Sequence, residues 1–94
     1  MPIIKSNEYF EGRIKSLGFE LNGDPYTVGV MLPGEYSIGT EKEEQITVTL
    51  GELEICPQDS NWRSVKAGET ITVPANTTFA LKIRDTVAYL CKYV

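Results

Sequence analysis

Gln45-Ile46-Thr47-Val48-Thr49-Leu50 sets the period on which the chain is built. Successive side chains of a strand point to opposite sides, so Ile46, Val48 and Leu50 share one face and Gln45, Thr47 and Thr49 the other. The pattern predicts a strand with one apolar face turned to a core. Phe79, Leu81 and Ile83 against Ala80, Lys82 and Arg84 repeat it. Working outward, short runs rich in β-branched and aromatic residues alternate with Gly, Pro, Asn and Asp, the signature of strands joined by turns. Strands are expected near Phe10–Phe19, Tyr26–Met31, Gly34–Thr40, Gln45–Leu50, Glu52–Cys56, Arg63–Val65, Glu69–Val73, Thr78–Ile83 and Val87–Val94. Asn22-Gly23-Asp24-Pro25 reads as a turn, because Gly23 tolerates positive φ and Pro25 restricts the approach to the next strand. Leu50-Gly51-Glu52 marks a tight reversal. Only Ser6–Phe10 suggests a helical turn, capped by Ser6 or Asn7. So many strands in 94 residues must close on themselves or sandwich, since open edges invite aggregation. The expected fold is all-β, a small barrel or jelly roll, with residues 1–94 forming one domain.

Composition narrows the chemistry. A chain this short buries only roughly 60–65% of its unfolded surface, which makes dimerisation a natural way to add burial. Hydrophobic content of 41% with 23% charged residues suits a soluble globular domain and not a disordered one. There is no histidine. That removes the Ser-His-Asp and Cys-His arrangements and the commonest ligand for zinc, copper and non-haem iron. A formal charge of -4, with nine basic residues scattered along the chain, argues against a nucleic-acid partner. No apolar stretch approaches the ~18–20 residues of a membrane span, and Met1–Lys5 is too short for a signal peptide, so a cytoplasmic location is expected. Cys56 and Cys91 show neither a CxxC pair nor metal spacing. Two reduced thiols in strands are the expectation, a single disulfide the alternative.

Two spacings resemble those of the cupin barrels. Glu44, six intervening residues and Gly51 match the end of the first cupin motif, E-x6-G. Gly68, five residues and Pro74 match the start of the second, G-x5-P-x-G. The departures are informative. The first-motif histidines would fall at Ser37 and Gly39, or at Ile38 and Thr40; the second-motif histidine falls at Phe79, and Asn76 replaces the motif glycine. A lone Glu44 builds no transition-metal site, so no metal and no cofactor are expected. A fuller resemblance spans nearly the whole chain. Residues 6–16 (SNEYFEGRIKS), Val28-Gly29-Val30-Met31, Gly34-Glu35-Tyr36 and the closing Ala88-Tyr89-Leu90-Cys91-Lys92-Tyr93 are similar to the compact bacterial pyrimidine/purine nucleoside phosphorylases. The resemblance implies a metal-free, cupin-type jelly-roll barrel that forms a homodimer. It also implies cleavage of many nucleosides with phosphate, giving free base and ribose 1-phosphate.

Such a reaction passes through a sugar carrying positive charge and a leaving base carrying negative charge, by analogy with glycoside cleavage. It needs an anion cradle for phosphate, a negative or dipolar group near the sugar, and a wall for the base. Lys15 and Lys92, within the family-like runs, are the first candidates for phosphate, followed by Arg84 and Arg13. Ser37 and Thr40 are candidates to bind substrate inside the barrel. Glu44 is the catalytic candidate, balancing charge on the sugar or binding its hydroxyls, although Glu41-Lys42-Glu43-Glu44 also reads as a solvated turn. Phe79 and Tyr89 are expected to line the cavity, the remaining aromatics to serve core or dimer contacts. Period-2 alternation sets a conflict: Tyr89 and Cys91 share one face of the last strand and Lys92 takes the other, so Tyr89 and Lys92 cannot both face inward. A non-catalytic small-molecule-binding cupin and a purely structural dimer module are the alternative readings.

Overall fold

In a computed structural model, which describes residues 3–94, the alternation at 45–50 becomes strand β5 (Glu44–Leu50), with Ile46 and Val48 fully buried. The order is β1 (Lys5–Tyr9), β2 (Ile14–Leu21), β3 (Asp24–Met31), β4 (Gly34–Gly39), β5, β6 (Glu52–Pro57), β7 (Arg63–Lys66), β8 (Thr70–Val73), β9 (Thr78–Ile83) and β10 (Val87–Tyr93). Two antiparallel sheets pack face to face. One has six strands in the order β1-β2-β3-β10-β5-β8, the other four in the order β4-β9-β6-β7. No helix occurs among the described residues. This is an all-β jelly-roll barrel of the cupin type.

Register explains which residues meet inside. Across the six-stranded sheet, Ile14, Met31 and Val87 form one inward row, and Ser16, Gly29, Tyr89 and Val48 the next. Gly18, Thr27, Cys91 and Ile46 follow, and Tyr93 lies opposite Glu44 at the end. From the smaller sheet, Leu53, Ile55, Val65, Leu81 and Ile83 close the core, all nearly free of solvent.

Two expectations are corrected. Ser6–Phe10 is not a helical turn: Lys5–Tyr9 is an edge strand paired residue for residue with Ile14–Gly18, and the turn falls at residues 10–13. A polar segment carries no apolar alternation, and only a neighbouring strand makes it extended. Leu50 does not join Ile46 and Val48 in the core but is 69% exposed. The cause is a register shift on β10 between Ala88 and Tyr89, where Val48 faces Tyr89 and Leu50 faces Ala88. One extra residue on β5 therefore turns Leu50 outward. The turn at residues 22–23 is as expected, with both Asn22 (φ 52°) and Gly23 (φ 84°) left-handed. Asn76, which stands in place of the motif glycine, adopts φ 55°, a left-handed conformation that glycine and asparagine tolerate better than other residues.

The outward side of the six-stranded sheet is unusually apolar. Leu17, Val28 and Leu90 lie in one row, Val30, Ala88 and Leu50 in the next. Leu17, Val28, Val30 and Leu50 are each at least 40% exposed. Phe19 and Tyr26 extend the face as a stacked pair with ring centroids 5.6 Å apart.

Candidate functional site

Between the sheets lies a cavity of about 600 Å³, within the range of small-molecule sites. Its floor is built by inward positions of the large sheet: Ser16, Glu44, Tyr89, Cys91 and Tyr93. The hairpin joining β1 to β2 contributes Tyr9 and Phe10, and the segment joining β4 to β5 contributes Glu41 and Lys42. The parity of the last strand is settled by this arrangement. Val87, Tyr89 and Cys91 are buried and face in, so Lys92 faces out.

Glu44 is half-buried, and its Oε1 accepts a hydrogen bond from the Cys91 thiol at 3.5 Å. Desolvation raises its pKa above the ordinary 4.5, with the Cys91 hydrogen bond opposing the rise. The same burial pushes the Cys91 thiol up to about 12, helped by the nearby Glu44 charge. A thiol so weakly acidic is not a thiolate nucleophile at neutral pH. Burial also takes Tyr89 to about 12, with Ser16 opposing, and raises Tyr93, whose hydroxyl lies 3.3 Å from Thr27 Oγ1. The floor therefore presents neutral hydroxyl and thiol groups around one carboxylate. Such a site can bind sugar hydroxyls and place a negative charge against a developing positive one.

Tyr89 lies flat across the sheet because its neighbour is glycine. A methyl group on Gly29 would come within 2.6–2.7 Å of the Tyr89 Oη, Cε1 and Cζ atoms. Gly29 thus allows the phenol to reach the position above Ser16, whose hydroxyl in turn accepts a hydrogen bond from Asn7 Nδ2 at 3.3 Å.

The cavity brings together Glu44, Ser37, Phe79 and Tyr89 from the sequence-derived candidates. Two of these differ from expectation in how they sit. Ser37 is exposed and out of phase with the inward Tyr36 and Ile38, so it meets the cavity only at its rim. Phe79 is only 3% exposed and belongs to the core as much as to the wall. Thr40 is not in the lining. Its hydroxyl donates to Pro74 O at 2.7 Å and accepts from Thr77 N at 3.1 Å, clipping the end of β4 to the β8–β9 turn. The three leading phosphate candidates also lie outside. Lys15 pairs with Glu8 at 3.5 Å, Lys92 with Asp24 at 3.6 Å and Arg84 with Glu54 at 3.0 Å, all on outward positions. Arg13 is exposed and is likewise absent from the lining.

Sequence reasoning passed over Lys42, which among the described residues is the only lysine or arginine in the cavity lining. Among the described residues it forms no ion pair. It sits two positions before Glu44 in what reads as a solvated turn, and only the closure of the barrel turns that segment toward a cavity. Among the described residues, no group of three or more His, Cys, Asp or Glu is placed to hold a metal ion.

Fold and cavity together define a jelly-roll protein whose cavity holds a half-buried carboxylate rather than an imidazole cluster. The chain belongs to the pyrimidine/purine nucleoside phosphorylase family, whose model matches residues 4–93. A Teredinibacter turnerae relative named pyrimidine/purine nucleoside phosphorylase is 49% identical over 88 residues, covering 93% of this chain and 94% of its own. One of the same name from Vibrio parahaemolyticus is 45% identical over 92 residues, covering 97% and 98%. A crystal structure of a Vibrio parahaemolyticus protein of unknown function superposes with a TM-score of 0.93 at 44% identity, covering 98% of this chain and 99% of that one.

Proposed function

We propose that this chain cleaves both purine and pyrimidine nucleosides with inorganic phosphate, without a metal, releasing free base and ribose 1-phosphate. The observation that carries the reading is Glu44, a half-buried carboxylate with a raised pKa on the floor of a nucleoside-sized cavity, in a chain of this family. The bond from the sugar's anomeric carbon to the base nitrogen breaks, its electron pair leaving with the base. A phosphate oxygen forms the new bond to the same carbon. Between these events the sugar carries positive charge. Ionised Glu44 is poorly solvated before reaction and well matched when that charge develops, which favours the transition state over the ground state.

Lys42 replaces Lys15, Lys92 and Arg84 as the residue proposed to hold phosphate. Aromatic and apolar walls that grip any base explain tolerance of both classes. Nucleoside and phosphate are the proposed partners, with no nucleic acid or membrane, and the cytoplasm the proposed location. No helix among the described residues is long and apolar enough to cross a membrane. The apolar outer face of the six-stranded sheet is the proposed homodimer surface, since rows such as Leu17-Val28-Leu90 leave a flat hydrophobic patch uncovered.

The test incubates purified protein with uridine or adenosine, with and without phosphate, and measures free base and ribose 1-phosphate. Release that requires phosphate is expected; release without it means hydrolysis, and binding without release means a non-catalytic binder. Lys42→Gln should raise KM for phosphate about tenfold while Lys15→Gln and Arg84→Gln change it by less than about twofold. Light scattering should give twice the chain mass of 10.5 kDa, and Val28→Asp should return it to a monomer. A wild-type monomer would remove the dimer proposal.

A further inference from the structure

An aromatic ring on the cavity rim sits on backbone that disfavours it. Phe10 (φ 53°), Glu11 (φ 56°) and Gly12 (φ 88°) are three consecutive left-handed residues at the β1–β2 turn. Glycine or asparagine would hold that turn with less strain, and a bulky residue there is a genuine outlier. Strained positions cluster where a side chain must be presented for function. The turn itself does not need phenylalanine; the ring is what the position supplies.

That ring is mounted rigidly and left open on one side. It packs on Tyr36, with centroids 4.9 Å apart and planes tilted by 49°. Tyr36 is 5% exposed, and its hydroxyl donates to Leu32 O at 2.6 Å, so the pedestal is fixed. Phe10 itself is 42% exposed and lines the same cavity as Glu44 and Lys42. The buried Phe79, by contrast, has little free face to offer.

We propose that Phe10 is the platform on which the nucleobase stacks. The inference rests on the nucleoside reading above and assigns its third part. The charged groups of the cavity suit sugar and phosphate, whereas an exposed ring suits the base. Every nucleobase has a π face, so stacking holds purines and pyrimidines alike without reading their edges.

Phe10→Asn tests this directly, because asparagine keeps the left-handed turn and removes the ring. The variant should melt at or above the wild-type temperature. KM for adenosine should rise about tenfold and for uridine about threefold, the larger ring losing more, with KM for phosphate and kcat within about twofold. Phe10→Trp should restore nucleoside affinity. Unchanged nucleoside KM, or an equal rise in phosphate KM accompanied by a lower melting temperature, overturns the assignment. Calorimetric titration with adenosine in the absence of phosphate separates the two readings. If wild type binds and Phe10→Asn binds more weakly, the platform stands even when no phosphorolysis is found. If both bind equally, or wild type binds no nucleoside, the platform falls.

Discussion

Glu44→Gln is expected to lower kcat/KM by about 10²- to 10³-fold while leaving the barrel folded. Glutamine keeps the shape and can still accept from Cys91 Sγ, which lies 3.5 Å from Glu44 Oε1 in the native chain. What it lacks is the negative charge proposed to balance the sugar's developing positive charge. The same substitution should act on stability in the opposite sense. The pKa of Glu44 is raised in the folded chain by desolvation, with the Cys91 hydrogen bond working against it. The folded state therefore holds this proton more tightly than the unfolded state, and ionising Glu44 costs folding free energy. Its contribution is fully present below the unfolded pKa near 4.5 and is lost as pH rises through the higher folded value. Relative to Glu44→Gln, wild type should thus lose stability across that interval and be the less stable protein above it. Thermal melts at several pH values check the difference. Wild-type kcat/KM should rise with pH across the same window if ionised Glu44 plays the proposed part. A variant that loses activity and stability together would point to a structural Glu44, and near-wild-type turnover would remove it from the mechanism.

Much of the fold was legible because its cause is local. Alternation marked β5, β9 and β10, and the Asn22-Gly23 turn has left-handed backbone that the sequence itself advertises. Residues 5–9 were not legible, since an edge strand made of Lys, Ser, Asn, Glu and Tyr has no apolar face and owes its extension to β2. Leu50 was misplaced for a different reason. The extra residue that turns it outward is defined only by pairing with Ala88 and Tyr89, 38 and 39 positions later in the chain.

The site divides along the same line. Tyr89 and Lys92 were known to be mutually exclusive, and the inward run Val87-Tyr89-Cys91 settles the choice. Lys15 is placed outward by the same logic, lying between inward Ile14 and Ser16. Strand parity, rather than membership of a family-like run, is therefore what keeps Lys15 and Lys92 out of this cavity's lining. Lys42 and Phe10 escape parity altogether, because both lie on connections between strands. Their place at the cavity follows from how the two sheets close, a long-range property that no short window of sequence carries.

Gly29→Ala is expected to cost about 1–3 kcal/mol of stability and roughly tenfold in kcat/KM, although it adds only a methyl group. Alanine is no obstacle to a strand, so an increase in stability would be the ordinary outcome at a compatible site. Here the methyl would meet the Tyr89 Oη, Cε1 and Cζ atoms at 2.6–2.7 Å. The ring is the far end of a flexible side chain, so the backbone need not yield. Tyr89 can swing, but the space open to it is the cavity it already lines, and a displaced phenol would occupy substrate volume and leave Ser16. Denaturant melts and steady-state kinetics on Gly29→Ala measure both effects. The double variant Gly29→Ala/Tyr89→Leu identifies the cause. If the collision with the ring is responsible, adding Tyr89→Leu should cost less stability in the alanine background than in wild type, giving a favourable interaction energy between the two sites. Strict additivity would mean that Gly29 acts through something other than Tyr89. Recovery of nucleoside affinity in the double variant, without recovery of kcat, would place Tyr89 among the groups that stabilise the reacting sugar; recovery of both would limit it to shaping the floor.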